Sequence, residues 1–175
     1  MTATRSRLLV ICTITALAVA AGGAAAPALE PPKPQRITAK GVGTVKLGAR
    51  YKTLRAAKLI GPIAPGCELA GPNTRSAKLL APLKGGVDLT QTNIRRVATI
   101  TVGGGATARG VGVGSTQAHL EHRFPKTVFD HSTDRTFGIT IAKIPKSGGG
   151  RLQFAVDTTT KKVTLIGIPR IPFCE

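Results

Sequence analysis

From Gly41 onward, apolar and polar positions alternate, fall into helical spacing and then alternate again, and the chain runs this cycle twice. In the first pass Val45 and Leu47 alternate as a strand end, and Gly48 supplies a turn. From Ala49 to Lys58 the spacing is helical, with Tyr51, Leu54, Ala57 and Lys58 on one side and Lys52 and Arg55 on the other. Gly61-Pro62 is expected to stop this helix. A loop at Gly71-Pro72-Asn73 precedes the apolar run Ala77–Ala81. Lys84-Gly85-Gly86 reads as a hairpin turn into Val87–Thr90, and Asn93 turns the chain into a β-branched strand, Ile94–Val102.

Gly103-Gly104-Gly105 joins this pass to the second. There Ser115 or Thr116 is placed to cap a helix by accepting a bond from an otherwise orphan backbone N–H. Leu120 and Phe124, at i and i+4, form the helix's buried stripe, and Pro125 ends it. Strands are expected at Thr127–Phe129, Phe137–Lys143, Arg151–Val156 and Val163–Ile168. Ser147-Gly148-Gly149-Gly150 and Asp157-Thr158-Thr159-Thr160 serve as turns.

The two passes superpose at a shift of 66 residues: Val45 falls on Val111, Leu47 on Val113, Gly48 on Gly114 and Leu54 on Leu120. The same shift lays Arg95-Arg96-Val97-Ala98-Thr99-Ile100 over Lys161-Lys162-Val163-Thr164-Leu165-Ile166. An internal duplication follows, and with it an α+β fold of two similar units. Each is a short helix followed by an antiparallel β-meander, the first over 41–102 and the second over 107–175. One short helix on one small sheet buries little alone, so the halves are expected to pack together.

Ahead of the repeats, Arg5 and Arg7 precede the apolar run Leu8–Ala20, and Ala26-Pro27-Ala28 offers small residues where a signal peptidase inspects them. Residues 1–28 therefore read as a secretory signal, the rival being a retained anchor, and the protein is expected to be secreted or held at the cell surface. No membrane span is expected after cleavage. Residues 29–40, with Pro31-Pro32-Lys33-Pro34, read as an extended linker. Removing the signal leaves Cys67 and Cys174, an even number in an exported chain and the pattern of a disulfide. Closing so long a loop is worth about 4 kcal/mol in the chain-entropy model.

Charge changes the picture most. The chain has 25 Lys plus Arg against 8 Asp plus Glu; losing Arg5 and Arg7 with the signal leaves 23 against 8, a net charge of +15. An exported protein so basic meets envelope proteins, acidic wall polymers and anionic lipid surfaces. The pairs Arg95, Arg96 and Lys161, Lys162 recur at matched positions and suggest a shared basic face, or simply polar hairpin turns. A dedicated nucleic-acid role is not expected: the mature chain has only Tyr51 and five Phe, none interleaved with a basic cluster for stacking on bases.

Catalytic patterns are weak. Gly110-Val111-Gly112-Val113-Gly114-Ser115-Thr116 is loosely phosphate-loop-like, but Gly114 stands where a lysine would have to reach the phosphates. His119 and His122 lie three apart on a helix, with His131 downstream, and form the one candidate metal set; a secreted metal-dependent enzyme is thus an alternative. No Gly-x-Ser-x-Gly or paired-carboxylate motif is present, so no catalytic residue and no cofactor are assigned. The pattern Gly114-Ser115-Thr116-x-x-x-Leu120-x-x-x-Phe124 resembles the turn-helix signature of β-lactamase-inhibitor-protein-like tandem repeats and of SmpA/OmlA-type outer-membrane-assembly lipoproteins. The match covers about 12 residues per repeat. In the first repeat Ala49-Arg50 replaces the capping residues, Lys58 replaces the last apolar one, and the lipid-anchor cysteine is missing. The resemblance implies helices against a small antiparallel sheet and a role in binding other proteins, including inhibition of a secreted enzyme. The expectation is a non-enzymatic binding or structural module at the cell envelope.

Overall fold

The structure, a computed structural model, describes residues 33–67, 71, 73–147 and 150–173. The segment read as a signal, the start of the segment read as a linker and Cys174 lie outside them. The described residues belong to one compact unit, Pro32–Glu175.

Thirteen strands and three short helices alternate along these residues. They begin with β1 (Gln35–Thr38), β2 (Gly41–Val42) and β3 (Val45–Lys46), followed by α1 (Tyr51–Ala56), β4 (Ile60–Pro65), β5 (Arg75–Leu79), β6 (Lys84–Leu89) and β7 (Val97–Gly104). Next come β8 (Ala106–Ala108), β9 (Val111–Gly112), α2 (Gln117–Arg123), β10 (Val128–Asp130), α3 (Asp134–Phe137), β11 (Ile139–Ser147), β12 (Gly150–Asp157) and β13 (Val163–Ile168). The fold is α+β, with two sheets and mostly antiparallel pairing. An eight-stranded sheet runs β10-β11-β12-β13-β7-β6-β5-β4, all antiparallel, and a five-stranded sheet runs β3-β2-β1-β8-β9. In the smaller sheet only β1 and β8 pair in parallel.

At the centre of the large sheet β7 meets β13, with Gly167 opposite Thr101 and Ile166 opposite Val102. On either side of this seam the backbone repeats itself at the 66-residue shift. Gly48 N donates to Val97 O and Gly114 N to Val163 O, both at 2.8 Å. Val97 N donates to Ala49 O at 2.9 Å and Val163 N to Ser115 O at 2.8 Å; Tyr51 N donates to Arg95 O at 2.9 Å and Gln117 N to Lys161 O at 2.8 Å. Isolated bridges Arg50–Arg96 and Thr116–Lys162 keep the same shift. So do two bulges: Ala98 and Thr164 are each skipped in the pairing, between Leu89/Val97 and Asp88/Thr99 and between Val156/Val163 and Ala155/Leu165.

Both sheets and both longer helices close on one core. Ile37, Val42, Val45, Ala106, Ala108 and Val111 of the small sheet cluster with Ile60, Val87, Ile100, Val102, Phe154 and Ile166 of the large one. Leu54 and Leu120 are the only buried residues of α1 and α2, and each joins that cluster. Helices of six and seven residues have little intrinsic stability, so this docking is what holds them. Phe124 and Phe154 meet at 5.6 Å between ring centroids. Strand alternation sends Ala155 to the other face of the large sheet, where it packs with Ile141 and Ile171. There the C-terminal segment turns back, with Ile171 N donating to Gln153 Oε1 at 2.9 Å and Phe173 stacked on Phe137 at 4.8 Å.

Several expectations are corrected. The segment read as linker is structural at its end: Gln35–Thr38 forms β1, with Ile37 buried, because its pairing partner β8 lies some 70 residues away and leaves no local trace. The first helix ends at Ala56, and Lys58 takes a left-handed φ of 55°, so Lys58 belongs to no helical stripe. Gly61-Pro62 lies inside β4; this is an edge strand, where a missing N–H breaks no ladder. Lys84-Gly85-Gly86 opens β6 and is not a turn; the turn is Leu80–Leu83, closed by Leu83 N to Leu80 O at 3.2 Å. Gly85 is required there, since its φ is 127° and a Cβ would sit 2.0 Å from Thr101 O. Ile94 lies ahead of β7 and is 55% exposed, Gly103 and Gly104 extend that strand, and Phe137 closes α3 instead of opening a strand.

Candidate anion-binding groove

The four residues expected to share a basic face fall into two separated pairs. Because β7 and β13 run antiparallel, Arg95-Arg96 precede one end of the seam and Lys161-Lys162 the other, so the two pairs stand at opposite ends of it. Their recurring role is in the backbone: the carbonyls of Arg95 and Lys161 each accept the first N–H of a helix. Arg96 also donates from Nη1 to Gly48 O at 2.9 Å. Matched sequence positions therefore map to opposite ends of the β7–β13 seam.

The histidines are not brought together either. His119 and His122 are exposed on α2, while His131 Nδ1 lies 2.8 Å from Asp134 Oδ2 beyond β10. Among the described residues no three His, Cys, Asp or Glu side chains converge as a metal site. The loop once compared with a phosphate loop does other work. Ser115 Oγ accepts from Gly112 N at 3.0 Å, and Thr116 caps α2 by accepting from His119 N at 3.2 Å. The Cys67 sulfur lies 3.6 Å from the carbonyl oxygen of Phe173, the residue before Cys174.

The fold does gather cations, at positions that composition alone left scattered. A groove of about 720 Å³ opens between the β1–β2 hairpin and the β8–β9 hairpin with the end of α2. Arg36 and Lys40 stand on the first wall, Arg109 and Arg123 on the second, and no Asp or Glu among the described residues lines it. Arg36 is opposite Thr107 in the parallel β1–β8 pair, so the one parallel contact in the sheets sets the two walls side by side. Arg109 and Gly110 form a two-residue hairpin turn, with φ of 49° and 85° and Ala108 paired to Val111. Arg123, in the last turn of α2, donates from Nε to Arg109 O at 2.7 Å. The Arg109 guanidinium carbon sits 5.2 Å from the centroid of Phe124, a ring that is itself buried against Phe154. Arg109 is thus held against a core ring, and Arg123 against the backbone of the Arg109 turn, before any ligand arrives. A second groove, of about 640 Å³, collects Arg50, Lys52 and Arg95 beside Tyr51 and Ile94, also without a carboxylate among the described residues.

The acids of the described residues are engaged elsewhere. The side-chain ion pairs among the described residues are Lys143–Asp130 at 2.5 Å and His131–Asp134. The hydrogen bond from Lys143 holds the Asp130 carboxyl well below the usual carboxylate range, that from His131 lowers Asp134, and the Thr160 N–H lowers Asp157. Asp88 goes the other way, raised by burial and partly offset by the charge of Arg170. None of these groups lines the groove, and among the described residues no side-chain ion pair engages its cations.

Sequence reasoning missed all four groove residues. Arg36 and Lys40 fell in the presumed linker, and Arg109 and Arg123 flank the second turn-helix without forming a cluster in sequence. The available signal was local: Arg109-Gly110 between Ala108 and Val111 is a two-residue turn that displays its arginine. No protein-family model, curated protein or solved structure matches this chain.

Proposed function

We propose that this chain is an exported, non-enzymatic binding or structural module of the cell envelope that engages an anionic partner through its basic surface. The observation carrying the reading is the groove of Arg36, Lys40, Arg109 and Arg123, four exposed cations on two walls with no carboxylate among the described residues that line it. Such an arrangement repels itself when empty and is relieved by a negatively charged ligand. The proposal includes export with loss of residues 1–28, and a Cys67–Cys174 bridge, supported by the 3.6 Å approach of the Cys67 sulfur to Phe173 O. It also includes an origin in two copies of a helix-then-meander unit, supported by the backbone bonds that recur 66 residues apart.

The test is a pull-down from envelope extract with the mature protein, washed at low and then at high salt. The reading expects partners that are released by salt, since exposed charges are screened within about 10 Å at 0.1 M. Partners retained equally at both salt concentrations would replace it with a packed protein–protein interface.

A further inference from the structure

We infer that the groove between the two hairpins is a binding site for a phosphodiester-linked polymer without bases, such as a polyol-phosphate chain. The inference rests on the anion-binding reading above and names the partner of that same site.

Of the two basic grooves, this one has the better-built cations. Arg50, Lys52 and Arg95 of the smaller groove project beside an exposed Ile94, whereas Arg123 is fixed by its bond to Arg109 O and Arg109 by the Phe124 ring. Three of the four cations here are arginines, whose planar forks match the oxygens of a phosphate and are weakly hydrated. A phosphodiester carries its charge on two non-bridging oxygens, and cations facing each other from two walls can each take one of them.

The cations also continue beyond the groove. Thr38, Ala39 and Lys40 at the hairpin tip also line an adjoining, mostly apolar hollow of about 470 Å³, to which Lys46 adds a second cation. Lys40 thus belongs to both hollows, and with Lys46 it extends the positive charge beyond the groove for a ligand bearing repeated charges. A ligand with one charge uses only part of this track. The lining carries no exposed aromatic ring, since Phe124 is buried under Arg109, so it has no platform on which bases would stack. That favours a base-free polymer over single-stranded nucleic acid.

The experiment titrates mature protein with poly(glycerol phosphate), with polyglutamate of matched length and with phosphatidylglycerol vesicles, each at two salt concentrations. Arg36→Gln/Lys40→Gln is compared with Lys78→Gln/Lys84→Gln, which removes the same charge from exposed positions outside the groove. Arg36→Lys with Arg109→Lys keeps the charge and removes two of the three forks. Poly(glycerol phosphate) is expected to bind more tightly than polyglutamate. The groove variant is expected to lose about tenfold or more in affinity, and its salt slope to fall by about 1.4, two contacts at about 0.7 each. The control is expected to change by less than about threefold, and the lysine exchange to fall between the two.

Equal losses in groove variant and control would overturn the groove as the site while leaving the anion-binding reading intact. Polyglutamate binding as tightly as the phosphate polymer would overturn the phosphodiester assignment. Binding to vesicles without binding to the soluble polymer would move the partner to a lipid surface and overturn it as well. Binding to none of the three at low salt would remove the anion-binding reading itself. Circular dichroism of each variant keeps a loss of folding from being counted as a loss of binding.

Discussion

Replacing Leu120 with alanine tests how this fold retains its helices. Leu120 is 0% exposed and is the only buried residue of the seven in α2; Leu54 is 4% exposed and plays the same part among the six residues of α1. Neither helix is long enough to persist in water alone, so each depends on one leucine and its caps. Truncating a fully buried leucine in a close-packed core removes its transfer free energy and leaves a cavity, together about 3 to 4 kcal/mol. In a domain of this size about 1 kcal/mol moves Tm by about 2 to 4 °C, so Leu120→Ala should lower Tm by about 6 to 16 °C. Leu54→Ala should follow at the same or a slightly smaller value, since its site is marginally more open. Urea denaturation of both variants, monitored by far-UV circular dichroism, gives the free energies directly. A loss below about 1 kcal/mol in both would refute the reasoning, because it would mean the helices are held by contacts other than these leucines.

The helix caps provide a paired test. Thr116→Ala should cost about 1 kcal/mol by removing the bond to His119 N, whereas Arg50→Thr should stabilise the first helix, whose N-cap now makes no side-chain bond; the same urea titration reads both. Acid should weaken the fold through Asp130, Asp134 and Asp157. Their folded pKa values are depressed, so their contribution is complete above the ordinary value of 3.8 and is lost as pH falls from there through the folded values. Asp88 has the opposite sign: its raised folded pKa makes its ionised form costly near neutral pH, and that cost is relieved as pH falls through the folded value toward 3.8. Asp88→Asn should therefore raise Tm near neutral pH and lose that advantage in acid, and an advantage that grows on acidification would contradict the assignment. Reduction of the mature protein under denaturing conditions should add the mass of two hydrogens and abolish the Cys67–Cys174 cross-link seen in a non-reducing peptide map. An unchanged mass would remove the bridge from the account.

The sequence by itself determined whatever depends on residues close together in the chain. Hydrophobic periodicity located both turn-helices, Thr116 announced its own cap, and the 66-residue echo of Val45, Gly48 and Leu54 in Val111, Gly114 and Leu120 reappears as paired backbone bonds at the same shift. The tertiary structure alone decided which distant segments are neighbours. β1 pairs with β8 across some 70 residues, and nothing in Gln35–Thr38 specifies so remote a partner. The antiparallel seam of β7 and β13 sent Arg95-Arg96 and Lys161-Lys162 to opposite ends, so residues that match in sequence do not share a surface. The same pairing that escaped the sequence brought Arg36 and Lys40 up to Arg109 and Arg123. Local patterns report side-chain burial and turn geometry, which act over a few residues, whereas a binding groove is made where loops from far-apart strands converge, and only sheet register sets that meeting.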